Sequence, residues 1–144
     1  MVIKKFRIGY TQGTYDMFHI GHLNLLRQAK ERCEKLIVGI NSDALVQQYK
    51  NKTPVVNEND RMEIVRELRC VDEVVKCETL KKTEAWKILH FDVIFIGNDW
   101  KGNARWAQTE KDLAPLGAEV VYLQHTDGIS STLLREKEKE KVVE

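Results

Sequence analysis

The sequence predicts an α/β domain of the doubly wound kind, with about five parallel strands and helices on both faces. Three observations carry this. Short β-branched apolar runs alternate with amphipathic helical patterns along the chain, the order that βαβ units require. Runs such as Leu36-Ile-Val-Gly-Ile40 and Val93-Ile-Phe-Ile96 are nearly continuous in apolar residues, as expected of strands covered on both faces. The length of 144 residues suits a single domain, 1–144, with a real core.

The elements follow in order. A strand over Phe6–Tyr10 leads through a Gly-containing loop to a helix over Gly21–Arg32, whose Leu23, Leu25, Leu26 and Ala29 mark an apolar stripe. Leu36–Asn41 reads as the second strand and Ser42–Tyr49 as the second helix. The polar stretch from Tyr49 to Arg61 contains Pro54 and reads as an exposed loop able to close over a ligand with Lys50 and Lys52. Asn57 or Asn59 caps the helix that follows, Asn59–Arg69, with Ile64, Val65 and Leu68 inward. Arg61 and Arg69 fall about two turns apart on it, on roughly one side. Glu73–Val75, Val93–Ile96 and Glu119–Leu123 complete the strands, and Thr83–Leu89 and Ala104–Leu116 the helices between them. Ser130 or Ser131 caps a last helix, and the charged segment Arg-Glu-Lys-Glu-Lys-Glu-Lys from about residue 135 reads as a solvated C-terminal helix or tail.

Composition narrows the classes. Charged residues make up 31% and the formal net charge is +1, so no global field points to nucleic acid or an anionic membrane. Cys33, Cys70 and Cys77 are odd in number and lack C-x-x-C spacing, which reads as reduced thiols in a cytoplasmic protein. No signal peptide or membrane span is expected.

An open parallel sheet binds ligands beyond the carboxyl ends of its strands. Three stretches fall there. The first is Gly13-Thr-Tyr-Asp-Met-Phe-His-Ile-Gly-His22, where His19 and His22 stand at a helix entrance able to receive phosphate. Taken alone, a histidine pair three apart is more often a capped helix with one solvated ring, or part of a metal site. No third His or Cys is near in sequence, so a metal site is not expected. The second stretch, Gly97-Asn-Asp-Trp100, is ordinary turn chemistry by itself. At a sheet edge, however, Gly97 permits close approach, Asp99 accepts hydrogen bonds and Trp100 walls a pocket. The third is His125-Thr-Asp-Gly-Ile-Ser-Ser-Thr132, a turn and helix entrance that also suits an anion.

Together these three stretches resemble the cytidylyltransferase family. The first is similar to its Gly-Thr-Phe-Asp-x-x-His-x-Gly-His signature, with Tyr15 for Phe, and the spacing resembles the small glycerol-3-phosphate cytidylyltransferases over nearly the whole chain. The resemblance implies a Rossmann-like nucleotidyltransferase, typically a homodimer, that transfers CMP from CTP with Mg²⁺ to a small phosphorylated alcohol. It implies catalytic roles for His19, His22, Lys52 and Arg61. It places Gly13, Thr14, Tyr15, Asp16, Gly21, Arg69, Gly97, Asp99, Trp100, His125, Thr126, Gly128, Ile129, Ser130, Ser131 and Thr132 around the nucleotide, with Asp16 orienting its loop or ligating a metal. Two departures stand out: His125 replaces the Arg that opens the family's last motif, and Ser131 replaces a Thr.

The acceptor stays open at this level. Glycerol-3-phosphate leads, with phosphocholine, phosphoethanolamine and polyol or sugar phosphates behind it. A choline head calls for an aromatic cage, for which Trp86, Trp100 and Trp106 are available. A nucleotide-binding regulatory module is the alternative of another class, supported by His125. An RNA-binding role lacks a basic face and is set aside.

Overall fold

The structure is a computed structural model and describes residues 5–124. Strands β1 (Phe6–Gly13), β2 (Cys33–Asn41), β3 (Glu73–Cys77), β4 (Val93–Gly97) and β5 (Glu119–Leu123) form one parallel sheet in the order β3-β2-β1-β4-β5. Helices α1 (Ile20–Glu31), α2 (Asp43–Lys50), α3 (Glu58–Arg66), α4 (Lys82–Leu89) and α5 (Ala104–Leu113) join the strands. Strand order reverses between β1 and β4, which makes their carboxyl ends the topological switch point.

The register opens a crevice there. β1 pairs with β2 as far as Gly13–Ile40, but with β4 only at Gly9–Val93 and Tyr10–Ile94. Past Tyr10, β1 continues beside β2 while β4 continues beside β5. Thr11–Gly13 and Phe95–Gly97 therefore border a cleft.

Alternate residues of the central strands feed two cores, one on each face. Leu36, Val38, Ile40, Val93 and Phe95 pack with Leu26 and Ala29 of α1 and Val65 of α3. Tyr10, Ile37 and Ile94 pack on the other face with Trp106 and Leu113 of α5, and α4 contributes Ala85, Trp86 and Leu89. The expected doubly wound class and its five strands are observed.

Three differences from the sequence reading have physical causes. β1 runs three residues past its apolar stretch, because buried Thr11 and Gln12 find partners inside the sheet. α5 gives way at Ala114 to a 3-10 turn with Pro115, closed by Gly117 at φ 83°. α3 ends at Arg66, short of Arg69. Beyond it the chain turns so that Asp72 can anchor β2, its carboxylate accepting the Leu36 N–H at 2.7 Å and the Lys30 ammonium at 2.7 Å. The inward face of α3 is Arg61 and Val65, while Ile64 is 45% exposed.

Candidate active site

The loop between β1 and α1 is held in an uncommon backbone shape. Tyr15 and Met17 have φ of 54° and 49°, left-handed values that non-glycine residues rarely adopt. Burial of Tyr15 holds this shape: its hydroxyl meets Thr11 Oγ1 at 3.4 Å and its ring lies edge-on to His22 at 5.3 Å. A Cβ on Gly13 would meet that ring at 3.0 Å, so the strand must end in glycine for Tyr15 to fold back. Asp16 Oδ2 and Oδ1 accept the Val55 and Val56 N–H groups at 2.8 and 2.9 Å, tying the 51–57 loop to this one.

His19 is the N-cap of α1. Its Nδ1 accepts the Gly21 N–H at 3.0 Å, and the His19 N–H donates to His22 Nδ1 at 3.2 Å, a capping box made of two imidazoles. The rings stack at 3.8 Å. Since the Nδ1 of His22 accepts, its neutral ring carries the proton on Nε2, a donor of the kind that suits a phosphate oxygen. Burial first, and then the neighbouring His19, hold the His22 imidazole down at about 4, so it is neutral at pH 7.

Arg61 takes a different role from the expected phosphate clamp. It is 1% exposed, and its guanidinium donates inward. Nε donates to Val56 O at 2.8 Å, Nη1 to Thr14 O at 2.7 Å and Asn41 O at 2.9 Å, and Nη2 to Asp43 Oδ1 at 2.6 Å. These bonds commit its donors to the motif loop, the end of β2 and the 51–57 loop. Arg61 positions three loops. Arg69 is also corrected. It is exposed in the turn after α3, beside the start of β2 and β3, at the opposite end of the strands from the crevice.

The crevice comprises two adjoining cavities that share Gln12, Gly13, Thr14, Tyr15, His22, Ile96 and Trp100. One, about 240 Å³, reaches toward the start of α1 and includes His19, Gly21, Gly97 and Asp99. A Cβ on Gly97 would lie 2.6 Å from Asp99 Oδ1, so glycine lets the chain turn tightly there. The other, about 320 Å³, reaches toward α2 and α5 and includes Lys50, Lys52, Lys82, Arg105 and Trp106. Lys50 and Lys52 thus lie on the wall of this cavity. Asp16 and Tyr15 border the cavity through the loop they shape.

A buried polar network that the sequence reading missed lies beneath the second cavity. Gln12 Nε2 donates to Asn41 Oδ1 at 2.9 Å and Thr79 O at 3.0 Å, and the Tyr10 hydroxyl donates to Gln12 Oε1 at 2.7 Å. Asn41 Nδ2 donates to the Tyr49 hydroxyl at 3.2 Å, which is 3.1 Å from Thr14 Oγ1. Gln12 and Asn41 end apolar runs at the carboxyl edge, a signal that was present; Tyr49, Lys82 and Arg105 carried none. Trp86 lies elsewhere, donating Nε1–H to Phe91 O and stacking on His90, so it walls no part of the crevice. His125, Thr126, Gly128, Ile129, Ser130, Ser131, Thr132 and the charged tail lie outside the described residues.

Among the described residues no group of three or more His, Cys, Asp or Glu side chains is placed to hold a metal ion. The Asp16 carboxylate is committed to two backbone N–H groups, while Asp99 is exposed. This donor set does not fit a resident metal. No helix among the described residues is long and apolar enough to cross a membrane.

The crevice of an open parallel sheet, a histidine-capped helix entrance on one side and a cationic wall on the other, agrees with the wider comparison: the cytidylyltransferase-like family model matches residues 10–137. The chain belongs to the cytidylyltransferase-like family. It is 34% identical over 128 residues to the glycerol-3-phosphate cytidylyltransferase of Staphylococcus aureus (strain NCTC 8325 / PS 47), covering 88% of this chain and 91% of that one. It is also 34% identical over 135 residues to the bifunctional protein HldE of Rhodopseudomonas palustris (strain HaA2), where it spans 27% of the relative's length. In fold, the lipopolysaccharide core biosynthesis protein of Thermoplasma volcanium GSS1 superposes with a TM-score of 0.74 at 23% identity, over 85% of this chain and 99% of that one. The pantoate–β-alanine ligase of Francisella tularensis superposes with a TM-score of 0.61 at 14% identity, over 96% of this chain and 71% of that one. At those identities the two structures speak for the fold of this cytidylyltransferase-like chain and nothing finer.

Proposed function

We propose that the protein transfers CMP from CTP to a small phosphorylated alcohol, with glycerol-3-phosphate as the leading acceptor, and releases pyrophosphate. The observation that carries this reading is the stacked His19–His22 capping box, with both Nδ1 atoms engaged at the start of α1 beside the switch-point crevice. The near full-length likeness to a glycerol-3-phosphate cytidylyltransferase supports the choice of substrates.

In this reading an acceptor phosphate oxygen forms a bond to the α-phosphorus of CTP in line, the bond from that phosphorus to the β-phosphate bridging oxygen breaks, and pyrophosphate leaves. Such chemistry depends on positioning and charge stabilisation more than on a covalent nucleophile. The two Nε2–H groups donate to phosphate oxygens as charge builds, aided by the N–H groups at the start of α1. Thr14 and the Gly13 backbone lie at the triphosphate, and Lys52 meets phosphate from its loop. Gly97 and Asp99 lie on the nucleotide side, where Asp99 accepts from the ribose. Arg61 acts through the backbone it holds. Mg²⁺ enters with CTP as part of the substrate, mostly keeping its waters. The segment His125–Thr132 contributes further phosphate contacts by resemblance, and a homodimer belongs to the same proposal, to be checked by sedimentation.

The test is pyrophosphate release with Mg²⁺ and CTP, against ATP, over a panel of phospho-alcohols, with products read by mass spectrometry. CTP-dependent formation of CDP-glycerol is expected. CTP binding without pyrophosphate release on any acceptor would overturn the assignment.

A further inference from the structure

The buried polar network beneath the crevice has a direction, and one backbone group sets it. Gln12 and Asn41, 8% and 4% exposed, stand at the carboxyl ends of the neighbouring strands β1 and β2. The Gln12 amide meets Thr79 O at 3.0 Å, and a carbonyl oxygen only accepts, so the atom facing it is Nε2. The amide oxygen then faces the Tyr10 hydroxyl, which must donate to it. Burial pushes the Tyr10 pKa well up, so that proton is always present. With it spent on Gln12, the Cys77 thiol donates to the Tyr10 oxygen. The second Nε2 proton of Gln12 goes to Asn41, whose facing atom must therefore be Oδ1. Neither amide can be turned over without setting oxygen against oxygen or nitrogen against nitrogen.

This direction reaches the crevice wall at Thr14 and Tyr49. With Oδ1 turned to Gln12, Asn41 offers only Nδ2 to the two hydroxyls, at 3.2 Å from the Tyr49 oxygen and 3.5 Å from Thr14 Oγ1. Both hydroxyl oxygens face a donor, and neither can give that amide nitrogen a proton. They lie 3.1 Å apart, so one of their two protons bridges them. The other has no acceptor within the group and turns toward the crevice. The frame is also held from behind, since Arg61 Nη1 binds the carbonyl oxygens of both Thr14 and Asn41.

We propose that Gln12 and Asn41 are positioning residues that make the Thr14–Tyr49 hydroxyl pair a one-way donor into the crevice, so that this wall takes an anionic oxygen and turns away a group that brings its own proton. The inference rests on the transfer reading above for naming that oxygen as one of the CTP phosphates. Its consequence is that the two ends of the Asn41 amide are not interchangeable. Aspartate has the same shape and still accepts from Gln12, but its second oxygen draws the Tyr49 and Thr14 protons inward and leaves none for a ligand. Losing one hydrogen bond to a charged group costs about tenfold or more in affinity.

The experiment is a calorimetric titration of the full chain with CTP and Mg²⁺ and, separately, with inorganic tripolyphosphate, at low and high salt, beside urea unfolding. Wild type, Asn41→Asp, Asn41→Leu and Tyr49→Phe are compared. Asn41→Asp should weaken both ligands about tenfold or more while keeping a urea midpoint near that of wild type, with KM for CTP rising more than kcat falls. Asn41→Leu should do the reverse: it strips Gln12 Nε2 of an acceptor and lowers the midpoint, while affinity falls less than in Asn41→Asp. Tyr49→Phe should also lose less than Asn41→Asp, because Thr14 keeps its own proton for the ligand. Equal losses of affinity in Asn41→Asp and Asn41→Leu, a collapsed midpoint in Asn41→Asp, or binding of neither ligand by the wild type overturns the proposal. So does full recovery of Asn41→Asp at high salt, the mark of charge repulsion alone. The comparison of Asn41→Asp with Tyr49→Phe stands even if Asn41→Leu does not fold. Weakened tripolyphosphate binding in Asn41→Asp, without pyrophosphate release by the wild type, would leave the one-way donor standing and overturn the transfer reading instead.

Discussion

The entrance of α1 and the Arg61 strut lie on either side of the same loop, and both present nitrogen donors. The His19–His22 pair is built from neighbours in sequence, its geometry fixed by helix capping over four residues. Arg61 is built from afar, bonding to Thr14 and Asn41, which are 47 and 20 positions away in the chain. Chemically each looked like a phosphate partner. The difference is what else the donors must satisfy. The imidazoles use Nδ1 in the capping box at the helix start, whereas Arg61 is buried among backbone carbonyls that would be costly to leave unpaired. A cation in a phosphate-binding fold is therefore a ligand contact only after its protein acceptors have been counted.

The sharpest way to break this contrast is Arg61→Met. It leaves Asp43 and three carbonyls without their donor, and a loss of about 3 kcal/mol is expected, at the low end for a broken buried pair because Asp43 is one-third exposed. Urea unfolding with an unchanged midpoint would show that the strut carries little. For the histidines, His22→Gln should lower turnover by about 10²–10³, the usual cost of a lost transition-state donor, while leaving the urea midpoint near that of wild type. His19→Asn preserves an N-cap side chain and should lose turnover in the same range, separating catalysis from capping.

Asp16→Asn probes the joint between the two regions. One of two charge-assisted bonds to the 51–57 loop is lost, about 1.5–3 kcal/mol of local stability. Faster limited proteolysis within residues 51–57 is expected; an unaltered cleavage rate would uncouple the loops. The pH dependence of stability gives a subtler distinction. Because the folded pKa of His22 is lowered from 6.5 to about 4, the unfolded chain binds the proton first as pH falls. The wild type should therefore lose stability relative to His22→Gln between about pH 6.5 and 4, with no difference above pH 7. Parallel profiles would place His22 in a more solvated setting. The smallest effect belongs to Asn57→Ala, which removes the side-chain acceptor for the Asp60 N–H at the start of α3 and should cost about 1 kcal/mol in thermal unfolding.

How far the sequence could be read follows the range of the interactions. Apolar runs determined the strands, alternation with helices determined the parallel sheet, and two of the three motifs placed after strands border the crevice. Capping of α3 by Asn57 was equally legible, since a cap is decided within four residues. Periodicity placed Val65 and Leu68 inward as observed but put Ile64 beside them in place of Arg61, because an apolar count cannot anticipate that an arginine will be the most deeply buried polar side chain there. It also lengthened that helix to Arg69, since the turn that stops it serves Asp72 and its bonds to a strand much earlier in the chain.

The sequence by itself thus determined the class of fold, the edge at which the crevice lies and the local geometry of the histidine pair, all of which rest on short-range pattern and hydrogen bonding. Only the tertiary structure decided that Arg61 faces carbonyls, that Arg69 lies at the far end of the strands, and that Lys82, Trp106 and Tyr49 meet in one cavity. Those outcomes depend on which distant backbone groups need partners once the chain is packed, and hydrogen-bond demand is satisfied in space without regard to sequence separation.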